Sequence, residues 1–297
     1  MSKTSQGFAA AGGAFALWGV FPLYFHLLQH VSALQVIAHR VLWSCLFVLG
    51  WISLRGELRP LRASLATLSV VWRLGISAVL ITVNWTVYVW AVMNGHVVEA
   101  SLGYFIGPLV NVLLGILVLS EKLSRAQWTA VALASVGVAY LTVVAGRLPW
   151  IALSLAFSFA TYGLVRKLVT VESLPGLATE TLLLLPLAVG YLLWCESAGT
   201  GALGHAGPSI DALLVGSGPL TAIGLFLYAF GTRRLPYATI GLLQYIAPTL
   251  QFLCGVWLLH EPFDRARTVG FTIIWAALLI YASEGVLRSR RKPGVFA

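Results

Sequence analysis

The sequence predicts an all-α membrane protein of ten transmembrane helices, arranged as two inverted five-helix repeats. Three observations point there. The 297-residue chain has a mean hydropathy of +0.89 and only 10% charged residues, too few to cover the surface of a soluble domain of this length. Apolar runs of about 20 residues, enough to cross roughly 30 Å of hydrocarbon as helix, recur from end to end. The chain also matches itself at an offset of 140, pairing Ile106 with Ile246, Pro108 with Pro248, Gly115 with Gly255, Glu121 with Glu261 and Arg125 with Arg265.

The runs fall near 8–28, 34–54, 68–93, 97–119, 128–146, 149–168, 178–195, 211–231, 236–259 and 268–284. Short connections force neighbouring helices to run antiparallel. Five spans per half is an odd number, so residues 1–146 and 147–297 would enter the membrane from opposite sides. With the N-terminus in the cytoplasm, fifteen of the nineteen Lys and Arg fall on the inner side, among them Arg55, Arg59, Arg62, Lys122, Arg166, Arg233 and Lys292. Only Arg147, Arg265 and Arg267 fall outside, and Arg40 lies within a span. That asymmetry puts both termini in the cytoplasm. It also explains the formal net charge of +9 without nucleic acid, because the basic residues sit in short loops instead of forming a patch or an arm. The three cysteines lie in or beside apolar runs, and their spacing specifies neither a disulfide nor a metal site.

The polar residues inside the spans carry the functional reading. Span one holds Trp18 in ALWGVFP, and span two holds Arg40 in VIAHRVLW. The offset of 140 sets Glu180, in LATETLLL of span seven, at the position equivalent to Arg40. An unpaired charge at that depth costs roughly 2.5–3.5 kcal/mol even on the lenient insertion scale, so the two are expected to pair, to gate, or to face a wet cavity. Span three interleaves Asn84, Trp85 and Tyr88, an amide among aromatic rings that suits the wall of a small-molecule cavity. Asn94 and His96 then occupy a turn, and Glu99 opens span four, where it either caps its own helix or acts with His96 as a proton-linked pair.

Within span four, Tyr104 is a further cavity candidate, Gly103 and Gly107 form a small-residue ridge, and Pro108 frees a backbone carbonyl. Span six offers Tyr162 and span nine Gln244 and Tyr245, followed by Pro248, which is expected to bend its helix as Pro108 does. His260-Glu261 begins like a zinc-protease helix, but Asp264 stands where the second histidine belongs. No cofactor, metal or catalytic residue is expected.

These residues lie within LWGVFPLYF, HRVLWS, NWTVYVWAV, EASLGYFIGPLVN, SFATYGLVRK and LLQYIAPT, and across them the chain resembles the EamA branch of the drug/metabolite transporter superfamily. The resemblance implies a multi-pass carrier of the bacterial inner membrane whose central cavity is lined by spans one, three, four, six, eight and nine. The chain departs from the usual pattern at Met93 and Gly107, where Asn is typical, and at Gly224, where Pro is typical. The expected function is secondary transport of a small amphipathic metabolite or drug by alternating access, with that solute and the lipid bilayer as partners. A lipid-modifying enzyme or a membrane receptor or scaffold is the alternative. Nothing in the sequence fixes an oligomeric state, and a monomer is compatible with it.

Overall fold

The computed structural model describes residues 3–56, 58–119, 124–232, 234–235, 240 and 243–291. Among them there is no strand. The helices are α1 (Lys3–Gly19), α2 (Phe21–His26), α3 (Ala33–Leu54), α4 (Leu58–Ala66), α5 (Leu68–Met93), α6 (Val97–Leu119), α7 (Arg125–Ala145), α8 (Trp150–Lys167), α9 (Ser173–Ser197), α10 (Pro208–Thr232), α11 (Ile246–Leu253) and α12 (Arg265–Arg291). Eight stretches are long and apolar enough to cross a membrane, with α1 and α2 counted together as one. Two shorter apolar helices, Trp150–Arg166 and Ile246–Leu258, accompany them. Glu121, Lys122, Arg233 and Lys292 lie outside the described residues, as does part of the ninth apolar run.

Local sequence explains the helix ends. Ser124 and Gln127 close a reciprocal capping box at the start of α7, each side chain bonding the other's backbone N–H, and Gly146 ends that helix at φ 64°. Asp264 accepts from Arg267 N at 2.8 Å and so caps α12. The basic connection after α3 forms a helix of its own, α4. Its Leu61 is buried in a cluster with Leu177, Ala178 and Ile52, while Arg59 and Arg62 stay exposed. That two-sided pattern makes nine residues helical where a loop was expected.

Two apolar runs are interrupted. The first breaks at Val20, between α1 and α2, because Pro22 has no N–H to give the Trp18 carbonyl. That carbonyl accepts instead from Gln251 Nε2 at 3.1 Å. The second breaks at Gln244–Tyr245, just where Pro248 cannot donate to the Gln244 carbonyl, and a π-helical turn over Cys254–Leu258 continues α11. Pro108, by contrast, lies inside α6, whose ladder runs on from Val97 to Leu119. The two prolines therefore differ: Pro248 sits in the first turn of a new helix, where its missing N–H costs nothing within α11, and Pro108 sits mid-helix.

The packing interleaves the two ends of the chain. Helix α1 packs on α10 and α11, α8 on α5 and α6, α3 on α9 and α10, and α7 on α12. One core cluster joins α6, α7, α8 and α12, and a second joins α2, α3, α5, α6, α8 and α10. The polar side chains gather along the second.

Candidate functional site

Arg40, on α3, is the organising charge. Only 4% of it is exposed. Its Nε donates to Thr221 Oγ1 of α10 at 2.8 Å, and that hydroxyl in turn donates to Ser217 O at 2.8 Å. The guanidinium carbon lies 4.0 Å from the Trp85 ring centroid on α5, with Phe25 and Phe21 of α2 at 5.6 and 5.7 Å. A planar, delocalised cation suits such ring faces better than an ammonium would. Four helices thus converge on one side chain.

The aromatic wall continues from there. Tyr88 meets Phe25 edge-on at 6.2 Å and Tyr104 at 5.7 Å, and Tyr104 meets Phe159, which leads to Tyr162 at 6.1 Å. The buried Tyr88 hydroxyl has no hydrogen-bond partner. Asn84, 1% exposed, is fully engaged: its amide donates to Leu155 O and Ser158 Oγ of α8, both at 3.0 Å, and its Oδ1 accepts from Tyr104 Oη at 3.0 Å. It ties α5, α6 and α8 together and positions Tyr104. The fold thus brings together Arg40, Asn84, Trp85, Tyr88 and Tyr104, with Tyr162 one ring further on.

Trp18 belongs to a neighbouring aromatic group with Phe15 and Tyr228, at 5.6 and 5.7 Å. A Cβ added at Gly224 would fall 2.5 Å from Trp18 Nε1, so the glycine seats the indole. Gln244 and Tyr245 are not gathered with these residues. They form the break before α11, and Tyr245 packs on the cluster of α6, α7, α8 and α12, its hydroxyl buried without a hydrogen-bond partner.

The expected pairing of Arg40 with Glu180 does not form, because each finds a nearer partner. Glu180, on α9, accepts from Ser77 Oγ at 2.6 Å and lies 3.6 Å from Arg166 Nη1 of α8. The latter distance makes an ion pair without a direct hydrogen bond, which agrees with Arg166 Nη1 having no hydrogen-bond partner. Gly176 leaves the room: a Cβ there would collide with the Arg166 guanidinium.

Glu99 does not cap its own helix. It accepts from Ile151 N at 3.3 Å and pairs with Arg147 at 3.6 Å, so it serves the start of α8. The start of α6 is already served by Glu261, whose two oxygens accept from Val97 N at 2.5 Å and Val98 N at 2.8 Å. His96 stacks on Trp90 with ring centroids 5.7 Å apart. Glu99, His96, Arg147, Glu261 and Arg267 share the lining of a cavity of about 80 Å³. Of the glycine ridge only half is used: a Cβ at Gly103 would meet Ala152 O at 2.6 Å, whereas Gly107 has open space beside it.

Sequence reasoning missed Thr221, Ser158, Ser77, Gln251 and the role of Arg166. The signal for Gln251 was Pro22, which leaves the Trp18 carbonyl in need of a donor.

Comparison with known proteins agrees with this architecture. The model of the EamA-like transporter family matches residues 6–143. A protein of Pseudomonas aeruginosa named an uncharacterized transporter is 44% identical over 292 residues, covering 97% of each chain. The Escherichia coli protein named RarD is 42% identical over 289 residues, covering 97% of this chain and 98% of its own. A crystal structure with a TM-score of 0.61 covers 93% of this chain and 97% of its own at 20% identity, a likeness of fold alone. With helices that span a membrane repeatedly and relatives of this identity along nearly its whole length, the chain belongs to the EamA-like transporter family of the drug/metabolite transporter superfamily and is a membrane transporter.

Proposed function

We propose that the chain is a ten-span secondary carrier of the bacterial inner membrane, with both termini in the cytoplasm. It is built from inverted halves 1–146 and 147–297 and moves a small amphipathic solute by alternating access. The observation that carries this reading is the convergence on Arg40 of an aromatic wall and of helices from both halves. Helix α3 supplies the charge, α5 Trp85 and α10 Thr221. Packing supports the inverted repeat, because partners exchange under it: α1 with α10 answers α8 with α5, and α3 with α10 answers α9 with α5. In the same way the Arg40–Thr221 contact between α3 and α10 answers the Glu180–Ser77 contact between α9 and α5. Repeat-equivalent residues then occupy two related sites instead of one shared site, and such repeats place a solute between the halves. Trp18, Asn84, Trp85, Tyr88, Tyr104 and Tyr162 line or support the path, with Gln244 and Tyr245 at the break in the ninth span. The transporter names of the relatives favour a carrier over a lipid-modifying enzyme.

The test is reconstitution into liposomes with counterflow of radiolabelled solutes, using a cysteine pair at Val98 and Gly255. A Cβ at Gly255 falls 3.0 Å from Val98 Cγ2, so a disulfide there would hold this end closed. Oxidation should stop counterflow and reduction should restore it. Flux that persists at full cross-linking would overturn alternating access.

A further inference from the structure

We propose that the solute is an organic monoanion, a carboxylate on an apolar or aromatic body, and that Arg40 binds its carboxylate. The inference rests on the carrier reading above and adds the charge of what is carried. Pairing with each other was one arrangement open to the two intramembrane charges, and the structure gives each a different partner. Glu180 is paired with Arg166 and accepts a hydrogen bond from the Ser77 hydroxyl. Arg40 has no carboxylate within ion-pair distance among the described residues. Its partners are a neutral hydroxyl and the faces of Trp85, Phe25 and Phe21.

A guanidinium carries five N–H donors, and the single hydrogen bond to Thr221 uses one of them. Ring faces attract the cation but accept hydrogen bonds poorly. A carboxylate can take two parallel N–H bonds from the guanidinium edge, an arrangement that Arg favours geometrically. A second donor waits close by. Tyr88 shares the Phe25 ring as a neighbour with Arg40, and its buried hydroxyl is unpartnered. One anionic group meeting both would take up further guanidinium N–H groups and give the Tyr88 hydroxyl a partner. Asn84 cannot do this work, because its amide is committed to Leu155, Ser158 and Tyr104.

The surroundings set the rest of the solute. Trp85, Phe21, Phe25, Tyr88 and Tyr104 offer ring faces and edges, which suit a hydrophobic body. A single uncompensated cation matches a single negative charge, since a second would be buried without a partner.

The test uses the full-length protein in a neutral maltoside detergent, with a panel of matched pairs such as 3-phenylpropionate and 3-phenylpropionamide. Binding is read by quenching of tryptophan fluorescence and by calorimetry. Acids should bind at least tenfold tighter than their amides. The ratio should fall to within about twofold in Arg40→Gln and recover in part in Arg40→Lys. Equal binding of acid and amide by the unmodified protein, or binding of no acid in the panel, overturns the inference without any variant having to fold. A ratio that survives Arg40→Gln in folded protein overturns the role of Arg40. Counterflow of the same pairs in phosphatidylcholine liposomes separates the two claims. Amides moved as fast as acids would leave the carrier standing and remove the anion preference, whereas acids bound tightly but never moved would keep the site and remove the carrier.

Discussion

Glu180 and Arg166 offer the sharpest test of how this protein tolerates charge at membrane depth. Their charged atoms lie 3.6 Å apart, with Glu180 2% and Arg166 16% exposed. At an effective dielectric constant of about 20 that separation is worth about 4–5 kcal/mol of attraction, much of it offset by the cost of removing both groups from water. Removing one partner strands the other. Arg166→Ala and Glu180→Ala should each cost about 3–5 kcal/mol. The double variant should cost about 2–3 kcal/mol less than their sum, because the second removal no longer breaks a pair. Arg40→Ala combined with Glu180→Ala should instead be additive to within about 0.5 kcal/mol. Both cycles can be followed by unfolding in mixed micelles, monitored by circular dichroism and repeated with Glu180→Gln, which keeps the shape and loses the charge. Additivity of Arg166 with Glu180, or strong coupling of Arg40 with Glu180, would refute this assignment of partners.

Other expectations follow from the same geometry. Gly103→Ala should cost about 1–3 kcal/mol in thermal unfolding, since its methyl would press on the Ala152 carbonyl, while Gly107→Ala should be near neutral. Equal effects at the two positions would contradict the helix packing. Glu196, in the last turn of α9, lies 2.7 Å from His205 of the following loop, and the hydrogen bond and the negative charge both raise the histidine's pKa above its ordinary value. A raised folded pKa means that the ordering this contact provides is complete below the ordinary value of about 6.5 and is lost as pH rises through the raised one. Hydrogen exchange over residues 198–207 should therefore be slower at about pH 5.5 than at about pH 8.5 once corrected for intrinsic rates. Glu196→Gln should abolish that difference. Single cysteines at Ser197 and Arg290 should label from the outside and the inside respectively, and labelling of both from one side would reject the ten-span topology.

Membrane class and most span positions were legible because hydrocarbon allows so few alternatives: an apolar run of the right length becomes a helix. The residues around Arg40 were legible one by one, since a charge, an amide and several rings stand out in apolar surroundings. Their partners were not. Arg166 looked like one more basic residue at the inner end of a span, and nothing local says that its side chain reaches Glu180 through the space left by Gly176. Helix α4 was missed because its basic residues dominate the composition while only Leu58 and Leu61 pack sideways. Pro108 and Pro248 match in sequence yet differ in effect, because a proline's cost depends on where its helix begins. Capping of its own helix was one of the two roles open to Glu99, for want of any sign that Glu261, 162 positions later, would arrive there first.

That arrival has an energetic consequence. Glu261 holds the first two N–H groups of α6 from the far end of the chain, so under the alternating access proposed above, opening this end would hand both donors to water. If the exchange costs a net 2 kcal/mol, about what one charged hydrogen bond contributes, the resting ensemble would favour the closed end by about thirtyfold. The solute would then meet a molecule already biased toward one face. Its binding energy would be spent in releasing a carboxylate, and the turnover rate would be set by how readily α6 loses its cap and regains it.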